Sequence, residues 1–99
     1  MRIEKRFRAT VWTQDSTGAW HFVTLPADLS RRVRTLTTGL RKPFGSFRVN
    51  ACTGRTNWET SLFADTRRGA FLLPIKAEVR RRERIAVGET IEILLTLGF

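Results

Sequence analysis

The sequence predicts a mainly β domain of six strands and two short helices, built from two related halves. Three observations carry that reading. Period-two alternation of apolar and polar residues recurs along most of the chain, a Leu-Pro pair twice precedes a stretch with helical spacing, and the same order of elements appears in both halves.

Phe7, Ala9 and Val11 alternate with Arg8, Thr10 and Trp12, as in a strand buried on one face. The QDSTGA stretch that follows is turn chemistry, so a hairpin is expected, with its second arm over residues 20–25. Pro26 suits the first helical position, where its missing N–H needs no partner. Leu29, Val33 and Leu36 then recur at helical spacing. Asp28 near the positive end and Arg32 and Arg34 farther on oppose the helix dipole favourably, and Gly39 and Pro43 end the helix.

The second half repeats the plan. Phe47, Val49 and Ala51 alternate with Arg48 and Asn50. After a turn over residues 52–56, Trp58, Thr60 and Leu62 alternate with Glu59, Ser61 and Phe63, which predicts another hairpin. ADTRRG makes the next turn and residues 71–73 the next strand. Pro74 is expected to open a second short helix carrying Ile75, Val79 and Ile85, and Gly88 turns the chain into a last strand. There Ile91, Ile93, Leu95 and Leu97 share one face, while Leu94 among the opposite residues predicts partial burial on both. Half-repeats over about residues 1–52 and 56–99 would interleave about a pseudo-two-fold axis within a single domain spanning 1–99.

Composition bounds the function. A chain of 99 residues that is 41% hydrophobic supports one core. Its single cysteine, Cys52, closes no intramolecular disulfide, which fits a reducing, cytoplasmic setting. No stretch is long and apolar enough for a signal peptide or a membrane span, so no membrane partner is expected. Eighteen basic against nine acidic residues leave a net charge of +9, and such a field attracts nucleic acid or another polyanion without choosing among them. Arginine's bidentate pairing with phosphate and the codon usage of a GC-rich genome account equally for the arginine excess.

From Leu73 to Ile93 the segment LPIKAEVRRRERIAVGETIEI resembles the strand, proline, helix, Gly-Asp/Glu, strand unit of AbrB-type transition-state regulators and antitoxins. In those proteins two chains build a double-split β-barrel; here one chain contains both copies. The pattern is similar to a bacterial family of small domains of unknown function with a duplicated split barrel. Trp58, Thr60, Ser61 and Leu62, then Gly69, Leu73, Pro74, Val79, Arg80 and Gly88 match its positions, while Glu89 stands where aspartate is usual. The resemblance implies a six-stranded double-split β-barrel with two short helices and a pseudo-two-fold internal duplication, and it carries no established activity.

Consecutive helical residues lie about 100° apart, so Arg80, Arg81 and Arg82 cannot share a face. Lys76, Arg80 and Arg84, at spacing four, form the row able to clamp a polyanion. The first helix adds Arg31 and Arg34, and the loop after it Arg41 and Lys42. Related basic faces on two helices would suit a DNA groove or phosphate track. A solvated basic coat is the plainer reading of the same residues. Arg80 also has a structural reading, capping strand carbonyls or pairing with a carboxylate such as Glu89, and Glu78 is spaced for an ion pair with Arg82. Among Trp12, Trp20 and Trp58, Trp12 is the best candidate for stacking on a base, because Arg6, Arg8 and Thr10 share its face; otherwise such aromatics belong to the core.

Catalysis and metal binding find little support. His21 and Cys52 are each alone of their kind, too few for a zinc ligand set, and nothing in the spacing supplies a base and an oxyanion hole beside Ser61 or Cys52. No cofactor is expected. The sequence therefore predicts a non-enzymatic binding domain, DNA being the first ligand considered. A protein-interaction or small-ligand accessory module is the alternative.

Overall fold

A computed structural model describes residues 2–14, 18–37 and 46–98. Among them the order is β1 (Arg2–Thr10), β2 (Trp12–Thr13), β3 (His21–Thr24), α1 (Ala27–Thr37), β4 (Ser46–Thr53), β5 (Thr56–Asp65), β6 (Ala70–Pro74), α2 (Ala77–Glu83) and β7 (Thr90–Gly98). All seven strands join one antiparallel sheet in the order β1-β7-β4-β5-β6-β3-β2. The sheet curls into a barrel-like half-cylinder with a mainly apolar interior.

Seven strands replace the expected six because the first arm changes partner. Arg2–Thr10 runs antiparallel to β7 over its whole length, whereas Trp12 and Thr13 pair with Phe22 and His21. Val11 is the pivot: its N–H donates to the Glu89 carbonyl at 2.9 Å and its own carbonyl accepts from Gly88 N–H at 2.8 Å. One segment thus carries both outer strands of the sheet. Alternation correctly marks Phe7 and Val11 as inward residues, but it is blind to which strand lies alongside. The expected first hairpin shrinks to two residue pairs, and the principal partner of β1 is the far end of the chain.

The interior is lined by the predicted alternating residues. Ile3 faces Leu97, Phe7 faces Ile93 and Ala51 faces Trp58 across paired strands, and all six are buried. Fully burying one such Leu, Ile, Val or Phe side chain contributes roughly 1.5–3 kcal/mol. Trp58 belongs wholly to this interior, its indole N–H donating to the Pro74 carbonyl at 3.1 Å. Leu94 is half-buried, as its place on the outer face of β7 predicts.

The helices begin from the β3–β6 pair. Val23 lies opposite Leu73. Beyond that pairing, Leu25 N–H donates to the Phe71 carbonyl at 2.9 Å and Ile75 N–H to the His21 carbonyl at 2.8 Å. Pro26 stands immediately ahead of α1, and Leu29 and Val33 bury the helix's inner face; the expected stop at Gly39 and Pro43 falls outside the described residues. Pro74 does not open α2. It is the last residue of β6, and Ile75 and Lys76 intervene before Ala77. The second helix is accordingly short: Val79 is its one buried residue, and Arg84, at φ 54°, ends it in the left-handed region.

Glu83, the last residue of α2, ties the helix to the β4–β5 hairpin. Its carboxylate accepts from Thr56 Oγ1 at 2.6 Å and from Arg55 N–H at 3.3 Å. Gly54 occupies that turn with φ +56°, and a Cβ there would overlap the Glu83 carboxylate. Gly54→Ala therefore combines left-handed strain with displacement of a hydrogen-bonded carboxylate, at a cost of about 2–3 kcal/mol. Urea unfolding of Gly54→Ala, Glu83→Ala and the double variant checks this: the double variant is expected to lose less than the sum of the singles.

Candidate functional site

The outward face of the sheet carries a mainly apolar cavity. It measures about 420 Å³ and lies between the start of β3, the outward side of β4 and β5, and the entry to α2. Trp20, Phe63, Pro74 and Ala77 supply its apolar surface; Arg48, Lys76, Arg80 and His21 supply its polar groups. Trp20 and Phe63 are 61% and 41% exposed, and of the large hydrophobic residues exposed to that degree only Val87 lies away from this groove among the described residues. Period-two alternation sends Phe63 outward on β5. Trp20 stacks on Phe22, with centroids 6.3 Å apart and planes 13° from parallel.

Arg80 is fixed from inside the protein. Its Nε donates to the Ile75 carbonyl at 3.1 Å, and its Nη1 lies 3.3 Å from His21 Nε2. An arginine has no proton-accepting atom, so His21 Nε2 must be the acceptor and the neutral ring carries its proton on Nδ1. Nδ1 is buried without a hydrogen-bond partner; the Gly18 backbone beside it favours the protonated ring only weakly. Loss of hydration and then the Arg80 charge hold the imidazole pKa below its ordinary value. Glu89 plays no part here. It accepts from Ala86 N–H at 3.0 Å in the turn before β7, so of the two structural roles expected for Arg80 it is the carbonyl contact, on Ile75, that is present, with His21 as the second partner and Glu89 not engaged.

Residues 7–95 match a domain of unknown function (DUF1905). The chain belongs to the DUF1905 family. No curated protein matches it. Within this DUF1905 domain the groove is therefore described by its own geometry.

The predicted basic row does not form one helical face. Lys76 is the residue before α2 and Arg84 the residue after it, leaving Arg80 as the row's one member within the helix. Lys76 and Arg80 meet at the groove, whereas Arg84 does not line it. On α1, Arg31 is exposed and Arg34 donates to the Gly69 carbonyl; Arg41 and Lys42 lie outside the described residues. Arg82 pairs with Glu78 at 2.9 Å, as the spacing predicts. Trp12 is half-buried: its indole N–H donates to Thr24 Oγ1 at 3.0 Å, its ring meets Phe22, and the Arg68 guanidinium lies 5.0 Å from its centroid. Trp20 is the more open tryptophan. The basic neighbours that favoured Trp12 in the sequence carry no information on which ring is covered, and only the fold shows it.

A second cavity, between the β4–β5 turn and the start of β7, is lined by Glu83, Glu89 and Glu92 together with Arg6 and Cys52. These carboxylates are already engaged, with Thr56 and Arg55, with Ala86 N–H, and with Arg6 at 3.1 Å. Among the described residues no group of three or more His, Cys, Asp and Glu is arranged to hold a metal ion, and no helix is long and apolar enough to cross a membrane.

The His21 environment generates a pH prediction. The folded ring binds its proton less tightly than the unfolded ring, so its contribution to stability is complete above the unfolded value of about 6.5 and declines as the pH falls below it. His21 is the only histidine in the chain. Urea midpoints are accordingly expected to drop between pH 7.5 and 5.5, and His21→Phe to flatten that dependence.

Proposed function

We propose that this domain is a non-catalytic binding module whose ligand is a small molecule seated in the groove beside Arg80. The observation that carries this reading is an apolar-walled cavity of about 420 Å³ holding a guanidinium fixed by two internal hydrogen bonds. That volume falls within the range of small-ligand sites, which combine mostly apolar walls with a few placed polar groups. A pre-positioned arginine loses little rotamer freedom when a ligand arrives.

An internal duplication supports the choice of this cavity. The reciprocal bonds Leu25 to Phe71 and Ile75 to His21 are what an exchange of the two halves would produce, and Ala27 and Ala77 then begin equivalent helices. In that correspondence Ser30 and Arg80 are equivalents. Ser30 Oγ donates to the Leu25 carbonyl at 3.4 Å and accepts from Phe71 N–H at 3.1 Å, a small hydroxyl within a closed seam. Arg80 reaches the Ile75 carbonyl in the same relation, but with His21 in place of Phe71 and open space beside it. One half is sealed where the other is open. An experimental structure in which no half-turn brings residues 23–30 onto 73–80 would refute the duplication.

DNA binding is the second reading, favoured by the net charge of +9 and by exposed Arg31, Arg32, Arg81 and Arg82 on the two helices. Several of the basic residues are engaged by the protein itself: Arg6, Arg48 and Arg82 by glutamates and Arg34 by a carbonyl. The test is a fragment screen followed by backbone amide shifts, run beside a salt series on duplex DNA. Ligand binding predicts saturable shifts at Trp20, Phe63 and Ala77. DNA binding predicts shifts along both helices and an affinity that falls with a log-log slope of about −0.9 per phosphate engaged. Fragments that leave the groove residues unmoved would overturn the first reading.

A further inference from the structure

We infer that the groove selects a small monocarboxylate with an aromatic body, the carboxylate meeting Arg80 and Lys76 and the ring lying along Trp20 and Phe63. This rests on the small-ligand reading above and specifies the ligand's chemistry.

Among the described residues no aspartate or glutamate lines the groove, whereas three cationic side chains do. Arg48 is paired with Glu59 at 3.1 Å, with both partners well exposed. Lys76 and Arg80 have no carboxylate within ion-pair reach among the described residues. Among the described residues, the carboxylates of α2 and of the turn after it are committed elsewhere. Glu78 holds Arg82, Glu83 holds Thr56 and the Arg55 N–H, and Glu89 holds the turn before β7. A half-buried guanidinium against apolar walls lacks much of its hydration, so an anion that replaces that hydration binds more favourably there than in open solvent.

The hydrogen-bond inventory narrows the anion. Arg80 has already used Nε on Ile75 and one Nη1 proton on His21, while Nη2 has no partner among the described residues. What remains is one side of the fork. It meets one or two acceptor oxygens, with Lys76 and the Ser61 hydroxyl available beside it. A phosphate monoester offers three acceptors and nearly two charges, more than one free side of the Arg80 fork and a single ammonium match while Arg48 is held by Glu59. A carboxylate offers two oxygens and one charge.

The walls specify the rest of the molecule. Trp20 is braced from behind by Phe22 and presents a large aromatic area to solvent, and Phe63 is the other large exposed ring at the same groove. Flat rings gain from offset or edge contacts with such surfaces beyond the area they bury. Pro74 and Ala77 complete an apolar lining without adding polar groups that would demand partners.

The experiment uses the full chain and a probe series of benzoate, 2-naphthoate and 4-biphenylcarboxylate, each beside its primary amide, together with inorganic phosphate. Backbone amide shifts and the Trp20 indole N–H resonance report the site and the affinity. Expected are saturable shifts at Trp20, Phe63 and Ala77 for the carboxylates, with affinity rising with ring area. Each amide should be about tenfold or more weaker, as loss of a charge-assisted contact predicts. Lys76→Gln should weaken the carboxylates and leave the amides unchanged, and Phe63→Ser should weaken both; neither residue is buried, so both variants keep the fold.

Amides that bind the groove as tightly as carboxylates would overturn the anion assignment and leave the ligand groove standing. Phosphate that competes with or exceeds the aryl carboxylates would overturn the monocarboxylate assignment in the same way. If no member of the series moves the groove residues, the small-ligand reading and this inference fall together.

Discussion

The arrangement depends on the short antiparallel contact between β3 and β6. Two strands of four and five residues meet there, and the backbone bonds just beyond their paired residues, Leu25 to Phe71 and Ile75 to His21, fix the points from which both helices depart. Neither strand survives alone, since a short isolated hairpin or strand pair is marginal in water. Each is stable because Val23 and Leu73 are wholly buried at the centre of the contact, with the helix residues Leu29 and Val79 buried alongside in the same core. The groove follows from this geometry. His21 is the first residue of β3, Ile75 is the first after β6, and Arg80 is joined to both.

The two faces of the sheet do different work. The inner face holds the apolar residues that stabilise the domain, and the outer face carries most of the ion pairs. Arg6 with Glu92 and Arg48 with Glu59 link neighbouring strands across exposed positions, where such pairs contribute between nothing and about 1 kcal/mol each. They matter more for how they distribute charge. Each carboxylate that neutralises an arginine elsewhere is one that the groove does not receive, so in a protein with twice as many basic as acidic residues Lys76 and Arg80 keep no carboxylate partner among the described residues beside the open apolar surface.

Much of the fold was legible in the sequence and its connections were not. Alternation located the inward residues of the first, fourth, fifth and last strands, because burial on one face imposes period two whatever the partner. It gave no account of the long pairing between β1 and β7, since register with a distant strand is set by the closed sheet and leaves no local mark. The Leu-Pro echo marked two places whose local structure differs: Pro26 abuts its helix, while Pro74 ends a strand with Ile75 and Lys76 before the next helix. The site divides similarly. The choice of Arg80 came from a spacing argument whose other members, Lys76 and Arg84, sit at the helix boundaries. His21, alone of its kind in the sequence, matters because it packs against Arg80. The choice of Trp12 over Trp20 rested on basic neighbours along its strand, and gave no sign that Thr24 and Arg68 engage its ring while Trp20 stands open.

Val11, where the first strand leaves β7 for β3, has a consequence for the order in which the molecule can assemble. The apolar side chains of Ile3 and Phe7 find their partners only in Leu97 and Ile93, near the other end of the chain. During synthesis the opening strand therefore waits, with greasy residues uncovered, until residues 90–98 have emerged from the ribosome. Closure of so distant a contact is intrinsically slow. The four basic residues among positions 2–8 keep that waiting segment strongly charged, and mutual repulsion between nascent copies guards it until the closing strand arrives.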